Sequence, residues 1–266
     1  MASEARAVRE ATFRLGIEYD GAGFHGWQVQ PRARTVQGEV EAALHRVTGR
    51  RVRVAGAGRT DAGCHAAGQV ASVTLATRLD AARLRAALNA HLPPDVRILE
   101  AEEAEPGFHA RFTATRRSYR YLVVPRASAL RRCLAWSHPL RTSVAALNEA
   151  SEPLRGRHDF TAFSRRGGEE DEPVCTVARA RWSRGPGATR FDIEADRFLY
   201  SMVRRIVSTV LRAAEDGGGS RAVRAVLEGR DRRASAPPAP AHGLYLMRVR
   251  YPRVGWLPRE RMNVVA

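Results

Sequence analysis

Hydrophobic and polar residues alternate in short stretches along the chain, and helical spacings separate these stretches. Phe13, Leu15, Ile17 and Tyr19 share one face, which predicts a half-buried strand that begins near Thr12. A helix follows at 36–47, and then a strand begins at Val52 and Val54 and runs into the loop that contains Asp61. A further strand, a second helix and a last strand follow at 70–75, 81–92 and 96–99. Strand, helix, strand, strand, helix, strand is the split βαβ, or ferredoxin-like, pattern.

The second half of the chain repeats this order with one additional helix. Its predicted strands lie at 119–123, 174–180, 191–195 and 244–249, and its predicted helices at 143–154, 198–211 and 220–229. Leu134 and Trp136 extend or pair with the first of these strands, Ser143 and Ser220 are the predicted N-caps, and Gly156 ends the first helix.

Two such halves predict an α+β fold, with an N-terminal ferredoxin-like half over 12–112 and a C-terminal one over 113–252. We expect the halves to share an extended, mainly antiparallel sheet with a central active-site cleft, where ligand sites tend to occur.

The charge of the chain narrows the class of partner. The 266 residues carry a net charge of +16, and all 44 basic residues are arginine. An excess of arginine favours polyanions, because the guanidinium group pairs with phosphate and stacks on bases. Nucleic acid is therefore the leading partner class. An acidic membrane surface is the weaker alternative, since no basic amphipathic helix with a Trp, Phe or Leu face is evident.

Cysteine usage and hydropathy indicate where the protein works. Cys64, Cys133 and Cys175 are widely spaced and include no CxxC pair, which argues against a disulfide framework or a zinc site and favours a reducing cytoplasm. The N-terminus has no apolar signal region, and no apolar run approaches the length of a membrane span. We expect a cytoplasmic protein that does not enter the membrane.

The stretch from Gly56 to Ala66 concentrates the candidate chemistry. It is rich in glycine and carries one carboxylate, Asp61, two residues after Arg59. One interpretation is a tight turn whose aspartate caps backbone N–H groups. A metal site is poorly supported, because His65 is the one other potential ligand before Asp80. A lone carboxylate that acts as nucleophile or base is the third interpretation.

Several motifs, in one order along the chain, resemble those of the tRNA pseudouridine synthase A family. The resemblance covers roughly residues 12 to 251. Besides Gly58 to Ala66, the matching segments are Tyr19-Asp20-Gly21 with Phe24, Gly26-Trp27-Gln28 and Gln30-Pro31, then Thr35-Val36-Gln37, Phe108-His109-Ala110-Arg111, Tyr119-Arg120-Tyr121, His158-Asp159-Phe160, Met202-Val203-Arg204 and Ala239 to Leu244.

The resemblance implies an isomerase that converts uridine to pseudouridine at positions 38, 39 and 40 in the anticodon stem-loop of tRNA. It implies no cofactor and no metal, a cytoplasmic location and a homodimer. The target base is flipped out of its stack, at a cost of a few kcal/mol. Asp61 matches the single catalytic aspartate, and Arg204 the basic residue that pairs with it.

The same resemblance assigns the substrate contacts. Arg59 matches the residue that holds the flipped base out. Tyr119 matches the tyrosine that stacks on the uracil and serves in proton transfer. The segment that contains Phe108, His109 and Arg111 matches one that contacts tRNA, and Leu244 lies in the closing motif as a further substrate-binding residue.

The residue pattern taken by itself leaves other interpretations open. It places Tyr119 and Tyr121 in the core, and Arg204 and Arg205 in solvent. Two other functions remain open: an RNA-binding protein without activity on the same scaffold, and a pseudouridine synthase that acts on another RNA.

Three positions depart from the family pattern. Cys64 replaces a usual valine, a small change that we expect to be tolerated. Ser208 replaces a usual glycine in the large helix. The acidic run Glu169 to Glu172 replaces a more basic or polar loop. Four acidic side chains repel phosphate, so this loop either faces away from RNA or alters substrate preference.

Overall fold

A computed structural model describes residues 8–165 and 172–252. The backbone contacts divide these residues into two compact units. The first contains residues 8–114 and 248–252, and the second contains residues 115–247.

The first unit has the predicted ferredoxin-like topology. Its elements are β1 (Arg9–Tyr19), α1 (Val36–Thr48), β2 (Ala55–Gly56), β3 (His65–Thr77), α2 (Ala81–His91) and β4 (Val96–Glu103). The strands are antiparallel in the order β4, β1, β3, β2. The side chains of Phe13, Leu15, Ile17 and Tyr19 are all buried, as the alternation predicts.

Local chemistry sets the bounds of α1. The hydroxyl of Thr35 accepts a hydrogen bond from Gly38 N at 3.3 Å, which satisfies one of the N–H groups that the first turn leaves free. Gly49 ends the helix in the left-handed conformation, with φ of 72°.

The strand predicted to begin at Val52 and Val54 and to run into the Asp61 loop is present, but it begins later and is shorter, because of this segment Ala55–Gly56 alone pairs with β3. Side chains of α1 occupy the backbone groups of Val54 instead. Glu41 accepts from Val54 N at 3.0 Å, and Gln37 donates to Val54 O at 3.0 Å.

The second unit repeats the arrangement with additional short elements. Its elements are β5 (Arg116–Val124), β6 (Trp136–Ser137), α3 (Val144–Ser151), β7 (Gly156–Asp159), β8 (Val174–Gly185), β9 (Ala188–Ala195), α4 (Met202–Glu215), α5 (Gly219–Gly229) and β10 (Leu244–Arg250). The strand order is β10, β5, β9, β8, β7, and the two residues of β6 pair in parallel with β5. The last three residues of β10 belong to the first unit.

Two predictions for the second unit are wrong. Helix α4 begins at Met202 rather than at Phe198, because Ser201 has a left-handed backbone with φ of 61° and interrupts the helical path. Ser220 is not an N-cap, since α5 begins one residue earlier, at Gly219, without a side-chain cap. The pattern also missed β7, a four-residue edge strand too short to show an alternation.

The α+β class and the mainly antiparallel pairing are confirmed. None of the helices in the described ranges is long and apolar enough to cross a membrane.

Candidate catalytic site

The carboxylate of Asp61 lies in a loop between β2 and β3 that is fixed by its own backbone. Cys64 N donates to the Asp61 carbonyl at 3.1 Å, which closes a turn. Gly63, at the third position of this turn, has φ of 78°, a conformation that favours glycine. The Asp61 side chain is half-buried, and the side chain of Arg59 is exposed.

Buried polar side chains hold the part of this loop that precedes Asp61. Gln69 in β3 is fully buried, and its amide donates to Gly58 O at 2.7 Å while its oxygen accepts from Gly58 N at 3.4 Å. The hydroxyl groups of Tyr19 and Thr60 lie 2.7 Å apart. The loop is therefore tied to both β1 and β3 immediately before Asp61.

The backbone of the segment after β1 packs directly against the backbone of this loop. A Cβ on Gly21 would lie 1.9 Å from the carbonyl oxygen of Cys64, and one on Gly26 would lie 2.6 Å from that of Thr60. Gly26 has φ of 92°, which also favours glycine. Only residues without a side chain permit these approaches, so the sequence of this segment fixes the position of the loop.

The side chains of Trp27 and His65 also hold the segment after β1 against the strands on either side of the loop. The indole of Trp27 is buried and packs so closely on β2 that a Cβ on Gly56 would lie 2.4 Å from its Cε2. His65 is 2% exposed, and its Nδ1 accepts a hydrogen bond from Gly21 N at 3.1 Å. These contacts give His65 a structural role.

A second feature of the first unit is the segment that contains Phe108, His109 and Arg111. Its centre is anchored at Ala110, whose N–H donates to Ser72 Oγ at 3.1 Å and whose carbonyl accepts from Tyr251 Oη at 2.8 Å. Phe108 is half-buried against the ring of Tyr251, with centroids 5.0 Å apart. Arg111 is half-buried.

The same segment presents an exposed aromatic ring, that of Phe112. The ring is 77% exposed and stacks on the imidazole of His109, with centroids 4.4 Å apart. His109 Nδ1 accepts from Arg111 N at 3.2 Å, which orients the imidazole. Phe112 is the last residue of the segment from Phe108 to Phe112 that resembles a tRNA-contacting part of the family, but the sequence pattern does not indicate that its ring is exposed.

Tyr119 and Arg204 belong to the second unit. Tyr119 lies in β5 opposite Ile193, is 7% exposed, and meets the ring of Phe198 edge to face with centroids 4.9 Å apart. The burial that the pattern predicts for this tyrosine is confirmed, as it is for Tyr121, whose hydroxyl donates to Pro240 O at 2.7 Å.

Arg204 is half-buried, so the solvated position that the pattern predicts for it is wrong. Its Nε donates to Ala239 O at 2.7 Å, and its carbonyl accepts from Ala239 N at 3.1 Å. This pair of bonds fixes the first turn of α4 against the proline-rich connector of residues 236–240. The neighbouring Arg205 is half-buried as well. Leu244, at the start of β10, is 7% exposed.

The departures from the family pattern have structural counterparts where the structure describes them. Cys64 is buried at 1% exposure. The Ser208 hydroxyl donates to Arg204 O at 3.2 Å and to Pro237 O. Residues 169–171 of the acidic run lie outside the described ranges, and Glu172 pairs with Arg157 at 3.8 Å. Within those ranges, no group of three or more His, Cys, Asp or Glu side chains is arranged to hold a metal ion.

Comparisons with known proteins give one consistent result. Residues 16–113 and 150–252 match the family model described as tRNA pseudouridine synthase. A tRNA pseudouridine synthase A from Agrobacterium fabrum is 41% identical over 257 residues, which are 95% of this chain and 96% of that protein. One from Geobacillus kaustophilus is 43% identical over 239 residues, 88% of this chain and 92% of that protein. One from Chlorobaculum tepidum is 41% identical, and the match covers 93% of this chain and the whole of that protein.

Proposed function

Because this chain belongs to the tRNA pseudouridine synthase family, it is an isomerase that forms pseudouridine in tRNA, and we propose that it acts at positions 38, 39 and 40 of the anticodon stem-loop. The observation that carries this proposal is the match over 16–113, which includes the whole Asp61 loop. The three relatives described above are each named tRNA pseudouridine synthase A, and this chain matches nearly their full length.

The reaction requires one well-placed carboxylate. The bond from C1′ to N1 of uracil breaks, the base turns, and a bond from C1′ to C5 forms; a proton leaves C5 and a proton is gained at N1. No electrons enter or leave. We assign Asp61 as the catalytic group, which either adds to the pyrimidine ring or assists loss of the base and then acts at the sugar. The rigid turn that closes at Cys64 supports this role, because a fixed carboxylate loses little entropy on reaction.

The remaining catalytic and binding roles are proposals of the same kind. Arg59, whose side chain is exposed, holds the flipped base out of the stem. Tyr119 stacks on the uracil and takes part in the transfer of the C5 proton, and Arg204 supplies the positive charge that favours the ionised carboxylate. Leu244 contacts the base.

The segment around Phe112 supports an RNA substrate. An exposed aromatic ring that is already stacked on an imidazole offers a surface for a nucleotide base. We propose that Phe108, His109 and Arg111 form the base of this tRNA contact, with Arg111 directed to a phosphate.

The test is pseudouridine mapping on an unmodified tRNA transcript incubated with the wild type, with Asp61→Asn and with Glu105→Gln. Asp61→Asn preserves shape and removes the charge, so we expect the rate to fall by at least roughly 10²- to 10⁴-fold. Glu105, an exposed acidic residue of the same unit, is the matched control and should leave the rate unchanged.

Each result bears on a different part of the proposal. Modification outside positions 38–40, or in another RNA only, overturns the assigned target. Full activity of Asp61→Asn overturns the assigned carboxylate. A wild-type protein that binds tRNA without modifying it makes the chain an RNA-binding member of the family.

We also propose that the protein is cytoplasmic and works as a homodimer, by resemblance to the family. Light scattering during size exclusion should then give twice the 29.3 kDa mass of one chain. A single-chain mass at micromolar concentration contradicts the dimer.

A further inference from the structure

Three arginines of the second unit, Arg165, Arg205 and Arg232, form a group that we call the arginine cluster. They come from three separate segments: a turn before residue 166, helix α4 and the segment that follows α5. Hydrogen bonds connect these segments. Arg232 Nε donates to Ser164 Oγ at 3.1 Å, and Arg205 Nη1 donates to the Arg232 carbonyl at 3.0 Å.

The hydrogen-bond partners of the arginine cluster are neutral. Besides the serine and carbonyl oxygens, Arg165 donates to the Tyr200 hydroxyl at 3.3 Å, and Arg205 donates to the hydroxyl of Ser235. In the ranges 8–165 and 172–252, none of the three arginines forms an ion pair with a carboxylate.

Asp159 is the carboxylate whose pKa the charge of Arg232 affects, and it already has other partners. It pairs with Arg230 at 3.3 Å and accepts from Thr161 N at 2.8 Å. Burial raises the pKa of Asp159, but the bonds from Thr161 and the charges of Arg230 and Arg232 outweigh it and lower that pKa. Two guanidinium groups, those of Arg230 and Arg232, therefore act on this one carboxylate, so among the described residues the site carries more positive than negative charge.

This arrangement costs free energy in the free protein. Burial, and then the charges of Arg232 and Arg165, lower the pKa of the Arg205 guanidinium. The Nε of Arg205 is buried and has no hydrogen-bond partner among the described residues. Like charges held together with an unsatisfied donor destabilise a fold unless an anion compensates them.

A purely structural role explains only part of the cluster. The bonds of Arg205 do hold Arg232 and Ser235 to α4, and the bond of Arg232 holds the same segment to Ser164. Arg165 is linked to Tyr200 by its backbone N–H, which donates to Tyr200 O at 3.0 Å, so that link does not require its exposed guanidinium group. The guanidinium carbon lies 5.5 Å from the centroid of the Tyr200 ring. Tyr200 is 36% exposed. An exposed arginine on an exposed aromatic ring is typical of a surface that meets nucleotides.

We propose that Arg165, Arg205 and Arg232 together bind a backbone phosphate of the RNA substrate. Guanidinium groups bind phosphate oxygens through paired N–H donors, and three of them supply more donors than one phosphate can accept. The inference rests on the proposed function insofar as RNA is the ligand, but it does not depend on the catalytic role of Asp61.

The experiment compares two double variants of the full chain in binding to an unmodified tRNA transcript at 50 to 300 mM salt. Arg165→Gln/Arg232→Gln removes two charges from the cluster. Arg221→Gln/Arg224→Gln removes two charges from exposed positions of α5 in the same unit and is the matched control. The slope of log K against log salt counts the phosphates that are neutralised.

We expect the cluster variant to lose roughly 0.7 to 0.9 of the slope, the value for one phosphate. The control should keep the wild-type slope. If the two variants lose the same amount of slope, the effect is that of net charge alone and the inference is overturned. If both keep the wild-type slope, the inference is overturned as well, because the cluster then neutralises no phosphate. Arg165→Gln by itself removes only the exposed member, so it repeats the test if the double variant melts at a lower temperature.

Failure of the inference and failure of the proposed function give different results. If the wild type modifies tRNA and the slopes are equal, the phosphate site is wrong and the function stands. If the wild type forms no pseudouridine but the cluster variant loses slope, the phosphate site stands and the function is wrong.

Discussion

At the scale of single residues, the glycine at position 21 fixes the Asp61 loop more directly than any side chain. Its missing Cβ leaves room for the carbonyl of Cys64, and its N–H donates to His65. The obstacle to a larger residue is backbone, which cannot rotate away. The position of Asp61 therefore depends on a residue 40 positions earlier in the sequence.

Gly21→Ala should destabilise the protein by about 1–3 kcal/mol or more, because the added methyl forces the loop to move. Pseudouridine formation should fall with it. Urea unfolding followed by circular dichroism measures the loss. Gly229→Ala is the control, since a Cβ there meets nothing within 4 Å. An unchanged unfolding midpoint in Gly21→Ala would show that the loop adapts.

The sequence predicted some residues of the site and missed others for physical reasons. Asp61 stands out because it is the one carboxylate in a glycine-rich stretch. Arg205 was placed in solvent because it flanks the apolar stripe of α4. Its actual partners lie at Arg232 and Ser235, 27 and 30 residues later, where helical periodicity gives no information.

At the scale of elements, α4 and the connector of residues 236–240 form one structure. The Arg204 side chain donates a hydrogen bond to Ala239 O, and the Arg204 carbonyl accepts one from Ala239 N. The hydroxyl of Thr209 accepts from Ala236 N at 3.0 Å. Thr209 is buried at 2% exposure. The connector therefore gains its shape from α4, although the sequence alone shows only a run of proline and alanine.

Thr209→Val should lower the free energy of unfolding by about 1–3 kcal/mol, because it leaves the buried N–H of Ala236 without an acceptor. Thr209→Ser keeps the hydroxyl and should retain the larger part of the stability. Thermal or denaturant unfolding of the two variants makes the comparison. A larger loss in Thr209→Ser than in Thr209→Val would mean that the packing of the methyl group, rather than the hydrogen bond, stabilises the connector.

Long, regular elements were predictable from the pattern, and short ones were not. Strand β1 and helix α1 follow their periodicities closely. The two residues of β2 do not, because Gln37 and Glu41 occupy the backbone of the preceding residues. The start of α4 was missed for a related reason, since one left-handed residue, Ser201, leaves no trace in hydrophobic spacing.

At the scale of the whole molecule, the repeated order of elements was the strongest signal of the fold. Two similar patterns in succession constrain each other, so errors in single elements did not alter the α+β class. The net charge of +16 was the strongest signal of the partner. Neither depends on the position of any one residue.

The affinity for tRNA should fall steeply with salt. If about six phosphates are neutralised, log K should fall by about 4 for each tenfold rise in salt, which is several hundredfold between 50 and 200 mM. Filter binding across this range measures the slope, with the melting temperature recorded in the same buffers. A slope near zero would exclude the charge as the basis of RNA binding.

The packing of Trp27 beneath Gly56 also has a spectroscopic consequence. This indole is buried and touches the strand that leads into the Asp61 loop. Its environment is apolar while the loop is in place, so its fluorescence emission should be blue-shifted in the folded protein and move to the red when the loop detaches. With Trp136, Trp182 and Trp256 replaced by phenylalanine, Trp27 becomes an intrinsic fluorescent reporter of this loop.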